Sequence, residues 1–231
     1  MLTALAQTAR HVPRLSRNAI AGVKRPILAI GVASGTAALV LTAYVASNPF
    51  IPADETVERW MQSINWGLLA LTFPVFSWIG DAKGFVLELA IFLVVLAVNR
   101  PAWLIAAGAA VSGAWYVVLN HLVHRPRPTT SQVLQVTEHP GGSSFPSGHT
   151  IFICTVVTVL VLCIGYRFLR KPAARAAAWI AGGAIVALNA IGRIDVGAHW
   201  PTDVLAGILI SVAWLGLWLA WRPVWARIVR S

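Results

Sequence analysis

The chain has 231 residues, 58% of them hydrophobic and only 11% charged, and a mean hydropathy of +0.72, which excludes an ordinary soluble domain. Its formal net charge of +10 does not indicate nucleic acid, which needs a continuous basic face, because here the basic residues fall between apolar runs and suit anchors at an anionic membrane surface. The expectation is an all-α, polytopic membrane helix bundle of one domain, with no linker, repeat or low-complexity tract to divide it.

In chain order, residues 1–26 form a basic segment with Arg10, Arg14 and Arg17 and no acid, fitting a cytoplasmic extension or part of a targeting signal. The uncharged run 27–47 is long enough to cross a bilayer core of about 30 Å and lacks a persuasive cleavage site, which favours a retained helix. Residues 48–82, with Pro49, Pro52, Asp54, Glu55, Glu58 and Pro74, are expected to lie as an outer interfacial segment. A short span follows at 84–99, in which Glu88 is costly unless paired or near the interface, and another at 102–123. After a polar loop, 124–148, spans are predicted at about 150–166, 176–191 and 204–221. Cys154 and Cys163 fall inside an apolar run and behave as small hydrophobes, giving neither a disulfide framework nor a metal site. The plan is a basic cytoplasmic segment 1–26, a six-helix membrane domain 27–222 and a basic cytoplasmic tail 223–231.

Loop charges orient these about six crossings. With both termini inside, Arg100, the cluster Arg167, Arg170, Lys171 and Arg175, and the tail arginines Arg222, Arg227 and Arg230 are cytoplasmic and most acids are outside. The same arrangement brings the 124–148 loop and the 193–203 segment together on the outer face of what is then a multi-pass protein of a bacterial-type cell membrane.

Those two stretches hold the chemistry. In NHLVHRPRP (residues 120–128) Arg125 and Arg127 sit in a proline-stiffened turn, and guanidinium donors match phosphate oxygens in pairs. Alone, they fit interfacial anchoring to lipid headgroups equally well. In SSFPSGHT (143–150) Ser147 is placed to cap a helix, Gly148 lets the backbone approach an anion, and the helix start supplies free N–H donors. His149 is placed to protonate a leaving oxygen; the alternative is a capping serine beside an interfacial histidine. In GRIDVGAHWPTD (192–203) Pro201 suits a first helical turn, with His199 at its mouth. Asp203, four residues on, is positioned to hold the His199 Nδ1–H and leave Nε2 free to attack phosphorus. Asp195 reads as a loop or interfacial acid.

Together these residues resemble the type 2 phosphatidic acid phosphatase superfamily, which also includes vanadium haloperoxidases and certain bacterial acid phosphatases. Its pattern is Lys-x6-Arg-Pro, then Pro-Ser-Gly-His, then Ser-Arg-x5-His-x3-Asp, and the likeness runs from about residue 27 to 221. The second motif is complete; the third has Gly192 for Ser; the first has Asn120 for Lys. The resemblance implies His199 as the nucleophile forming a phosphohistidine, Asp203 orienting it and His149 protonating the leaving group. Arg127, Ser147, Gly148 and Arg193 would hold phosphate oxygens, with Asn120 at the lysine position, and no metal or cofactor is implied. Losing one charged hydrogen bond costs about 1.5–3 kcal/mol, or roughly ten- to hundredfold in rate, so Asn120 predicts a weakened enzyme unless Arg125, His121, His124 or Lys83 replaces the cation. The expected substrate is a lipid phosphate or diphosphate. The competing readings are a non-enzymatic lipid-phosphate binder or transporter and a vanadate-dependent halide oxidase.

Overall fold

The computed structural model describes residues 17–80, 83–221, 223 and 224. The basic residues Arg10 and Arg14, the tail arginines Arg222, Arg227 and Arg230, and the Lys83 side chain lie outside what is described. Ten α-helices are present among the described residues: α1 Arg17–Ser47, α2 Pro52–Gln62, α3 Phe73–Gly80, α4 Lys83–Val98, α5 Trp103–Ala110, α6 Ser112–Leu122, α7 Gly148–Val159, α8 Tyr166–Phe168, α9 Pro172–Asp195 and α10 Pro201–Ala220. No strand is described, and the chain is an all-helical bundle.

Five stretches are long and apolar enough to cross a membrane: Arg25–Ser47, Arg100–Leu122, Gly148–Phe168, Pro172–Asp195 and Pro201–Ala220. These match five predicted spans to within a few residues at each end. The sixth, Gly84–Val98, rises only about 22 Å at 1.5 Å per residue, so the six-crossing plan needs α4 as a short crossing. The predicted 102–123 span is nearly continuous, with α5 and α6 meeting at Val111. The predicted interfacial stretch is three pieces: α2 with Pro52 in its first turn, a 3-10 turn Gly67–Thr72, and α3 with Pro74 in its first turn, where a missing N–H costs nothing.

Helix α7 is the axis of the bundle, packed by α9, α10, α6, α3 and α5, and eight of its side chains are buried. It runs into a π-helical turn, Leu160–Gly165, whose Cys163 carbonyl accepts the buried Asn99 amide at 2.8 Å. Helix α1 lies along α10. The two backbones touch at Gly31 and Gly216, where a Cβ on Gly216 would stand 2.8 Å from the Gly31 Cα; such close approach through small residues is how helices pack where lipid removes the hydrophobic drive between them. Many of the large apolar side chains left exposed, such as Leu39, Leu68 and Ile180, lie on these apolar helices and suit contact with lipid chains.

Candidate active site

The site forms at the end of the bundle where α7 and α10 begin. The α9–α10 turn is made by Gly197 at φ +71, and a Cβ there would stand 2.6 Å from the Gln135 carbonyl oxygen. Two residues later His199 is only 3% exposed. Its Nδ1 lies 2.7 Å from the Ser144 carbonyl oxygen. A carbonyl only accepts, so Nδ1 carries the proton and Nε2 presents a lone pair. Burial, then the charges of Arg127, His149 and Arg193, hold the imidazole well below its ordinary 6.5. His199 is therefore a neutral imidazole whose tautomer is fixed, with the Nε2 lone pair unprotonated.

Asp203 does not bond His199, contrary to the expectation from their spacing. At the amino terminus of α10 its Oδ2 turns back to accept its own helix's Trp200 N–H at 3.0 Å, and also accepts the Ser144 hydroxyl at 2.5 Å. Its Oδ1 accepts from Arg125 Nη1 at 2.5 Å. The orienting chain is Asp203 to Ser144 to His199, with a backbone carbonyl as the last link. Arg125 is likewise not a stand-in phosphate cation: Asp54 at 2.6 Å and Asp203 at 2.5 Å neutralise it in a buried pair of ion bridges. Thr202 donates to Asp54 through its backbone N–H and its hydroxyl, which ties α2 onto the start of α10.

Ser147 stands at the N-cap of α7 but caps nothing with its side chain; its hydroxyl accepts from Thr150 at 3.0 Å. Asn120 also differs from a phosphate-facing group, since its amide donates to the Ser143 carbonyl at 2.8 Å and the Phe145 carbonyl at 3.4 Å, pinning the loop before α7. His121 bonds the Val117 carbonyl on an exposed face. Gly192, where the resemblance expects Ser, is packed by Phe73: a Cβ there would be 2.9 Å from the ring.

Arg127 donates to the carbonyls of Ala198, Gly141 and Ser143, and Arg193 to the Ser77 hydroxyl at 2.6 Å and Glu138 at 2.8 Å. Each guanidinium leaves a buried Nε without a partner among the described residues, donors that a desolvated site reserves for an acceptor. His149 Nε2 lies 3.3 Å from the Ser77 carbonyl oxygen. His149, His199, Arg127 and Gly148 line one cavity of about 410 Å³, together with Tyr116 and Glu88. Arg193, Ser147 and Asp203 are buried and are not among the residues that line it. Sequence reasoning assigned no role to Ser144, Ser77, Glu138 or Asp54. The one available signal was charge parity, since buried arginines need acids and Asp54 and Glu58 sit in the only acid-rich stretch preceding the motifs.

The PAP2 superfamily model matches residues 101–227. A decaprenylphosphoryl-5-phosphoribose phosphatase of Mycobacterium tuberculosis is 32% identical over 114 residues, 49% of this chain and 57% of the relative. The chain thus spans little more than half the length of that relative. Phosphatidylglycerophosphatase B of Bacillus subtilis is 26% identical over 188 residues, 75% of this chain and 85% of the relative. A solved transmembrane PAP2-type phosphatidylglycerolphosphate phosphatase from Bacillus subtilis superposes with a TM-score of 0.66 at 22% identity, covering 81% of this chain and 93% of its own. LpxE of Aquifex aeolicus superposes with a TM-score of 0.55 at 22% identity, covering 72% and 94%. Both share the fold.

Proposed function

Because the chain belongs to the PAP2 superfamily, we propose that it is a metal-independent phosphatase of lipid phosphates or diphosphates, acting through a phosphohistidine at the extracytoplasmic membrane face. The observation that carries this reading is the neutral His199, its Nδ1–H bonded to the Ser144 carbonyl, set among Arg127, Arg193 and His149, with a buried Nε on each arginine that has no partner among the described residues. Binding alone requires the cations but no lone pair held at their centre.

In the proposed reaction the His199 Nε2 lone pair forms the N–P bond as the P–O bond to the lipid alcohol breaks, and His149 delivers its proton to the departing oxygen. Water, deprotonated by His149, then attacks phosphorus; the N–P bond breaks, inorganic phosphate leaves and both histidines return to their starting states. Arg127, Arg193 and the N–H groups at the start of α7 stabilise charge on the three non-reacting oxygens, where most of the catalytic gain in phosphoryl transfer lies. Asp203 fixes His199 through Ser144, and Asn120 shapes the loop that presents Ser147 and Gly148. The named substrates of the relatives, decaprenylphosphoryl-5-phosphoribose and phosphatidylglycerophosphate, together with a polyprenyl diphosphate to represent lipid diphosphates, are the panel to test.

Purified protein, without added metal, is expected to release phosphate from at least one of these. His199→Ala is expected to lower kcat by more than a thousandfold, and ³²P-labelled substrate to leave acid-labile label on wild type but not on the variant. Wild-type activity that survives His199→Ala, or lipid binding without phosphate release on any member of the panel, would sink the reading.

A further inference from the structure

Helix α4, KGFVLELAIFLVVLAV, carries one acid, Glu88. It lies five residues, or about 7.5 Å, inside the helix, where a carboxyl in a membrane span is costly and marks a functional position by default. Two cavities meet at this side chain. One is the site cavity of about 410 Å³ that holds His149, His199 and Arg127. The other, of about 290 Å³, is walled by Phe85, Leu89 and Phe92 of α4, Ala106 of α5, and Val156 and Val159 of α7, and is almost wholly apolar. Among the described residues, only Glu88 and Thr155 line both. Thr155 is committed to the Ser112 hydroxyl at 2.5 Å and the Ile151 carbonyl at 3.0 Å. Glu88 has no hydrogen bond among the described residues, which leaves it the one uncommitted polar side chain at the junction.

We propose that Glu88 is a specificity-determining residue that receives a free hydroxyl on the alcohol carrying the phosphate, so that the preferred substrate is a lipid-anchored polyol phosphate. This rests on the phosphatase reading. With the phosphoryl group among His199, His149 and the two arginines, and the apolar chain in the groove beside α4, the atoms on the lipid side of the scissile P–O bond pass Glu88. A carboxyl group accepts a hydroxyl proton in either protonation state. An alcohol without that hydroxyl leaves the carboxyl desolvated and unmatched, and a site built to bond a hydroxyl rejects an analogue lacking it far more strongly than an apolar pocket rejects an added one. Glycerol and pentose phosphates share this chemistry.

The test uses a pair differing by one hydroxyl, 1-oleoylglycerol 3-phosphate and 1-oleoylpropane-1,3-diol 3-phosphate, with the full chain in mixed micelles. Wild type is expected to favour the first at least tenfold in kcat/KM, Glu88→Leu to bring the ratio close to one, and Glu88→Gln to keep part of it. Added arms with phosphatidylglycerophosphate and a prenylphosphoryl 5-phosphopentose identify which polyol is preferred. A wild-type ratio near one, or the same ratio in wild type and Glu88→Leu, overturns the proposal while phosphate release still stands. Absence of His199-dependent release from every arm overturns the phosphatase reading first and this proposal with it.

Discussion

A histidine held between two arginines and a second histidine, and nearly sealed from solvent, binds a proton badly, which keeps its lone pair free for the proposed attack on phosphorus. Its Nδ1–H is fixed on the Ser144 carbonyl, so protonation can occur only at Nε2, the atom proposed to attack phosphorus. With its pKa held well below 6.5, His199 stays neutral as pH falls past the value at which a free histidine would be half protonated. The acid limb of the kcat/KM profile, corrected for the substrate's own second phosphate ionisation near pH 6, is expected well below 6.5. Arg127→Gln, which removes one of the charges holding the value down, is expected to move that limb upward; a wild-type limb at or above 6.5, or one that does not move in the variant, would overturn this account of His199. The same scale explains which site residues could be read in advance. His149 and His199 sit in short motifs whose spacing puts them at helix mouths, and Arg127 and Arg193 sit in motifs on the adjoining loop and the last turn of α9. Their partners Ser144, Ser77 and Glu138 are defined only by folding; Ser77 meets Arg193 across 116 positions of sequence. The tie from Asp203 to His199 failed as a local reading because the start of α10 turns that carboxylate onto the Trp200 N–H and Arg125 instead.

At the scale of elements, α2 is the piece that periodicity did not resolve. It is short, mixed in polarity and led in by Pro49 and Pro52, whereas the membrane helices announce themselves by length and apolarity. Yet α2 braces the site: Asp54 holds Arg125 and Thr202, and Gln62 donates to the Ile194, Asp195 and Gln135 carbonyls. One turn beyond Asp54, Glu58 is fully buried, and neither carboxyl oxygen has a partner among the described residues. Burial, reinforced by the Asp54 and Asp203 charges and opposed by Arg125, pushes its pKa from 4.5 to about 9. Between those values the folded protein keeps a proton that the unfolded chain releases, so stability falls as pH rises across the window, by about 1.4 kcal/mol per unit. By pH 7 the cost is on the order of 3 kcal/mol. Glu58→Gln removes the linkage. In detergent it is expected to unfold several degrees above wild type at pH 8 and to converge with it near pH 4.5, read by thermal scans at both values. A Tm difference that does not change with pH would show that Glu58 does not hold that proton.

At the scale of the whole molecule, the charge pattern and the site lie at opposite ends of the same helices. Arg100, at the junction of α4 and α5, and Arg167, Arg170, Lys171 and Arg175, around α8 and the start of α9, gather where α7 ends. His199, Arg127 and the 123–147 loop gather where α7 begins. Lysine and arginine in short loops stay on the cytoplasmic side, so the site should open outward, level with the headgroups of the outer leaflet, where a substrate can present its phosphate while its chains remain in the bilayer. Cys154 and Cys163 are buried and give a quiet background for labelling single cysteines at exposed loop positions. Ser131→Cys, in the loop beside the site, is expected to react with a membrane-impermeant maleimide in intact spheroplasts at least tenfold faster than Lys171→Cys, and Lys171→Cys to catch up only after permeabilisation. The reverse pattern would put the site in the cytoplasm and require a substrate delivered from the inner leaflet. Equal labelling of both before permeabilisation would mean that α7 does not cross the membrane, and the six-crossing plan would fall with it.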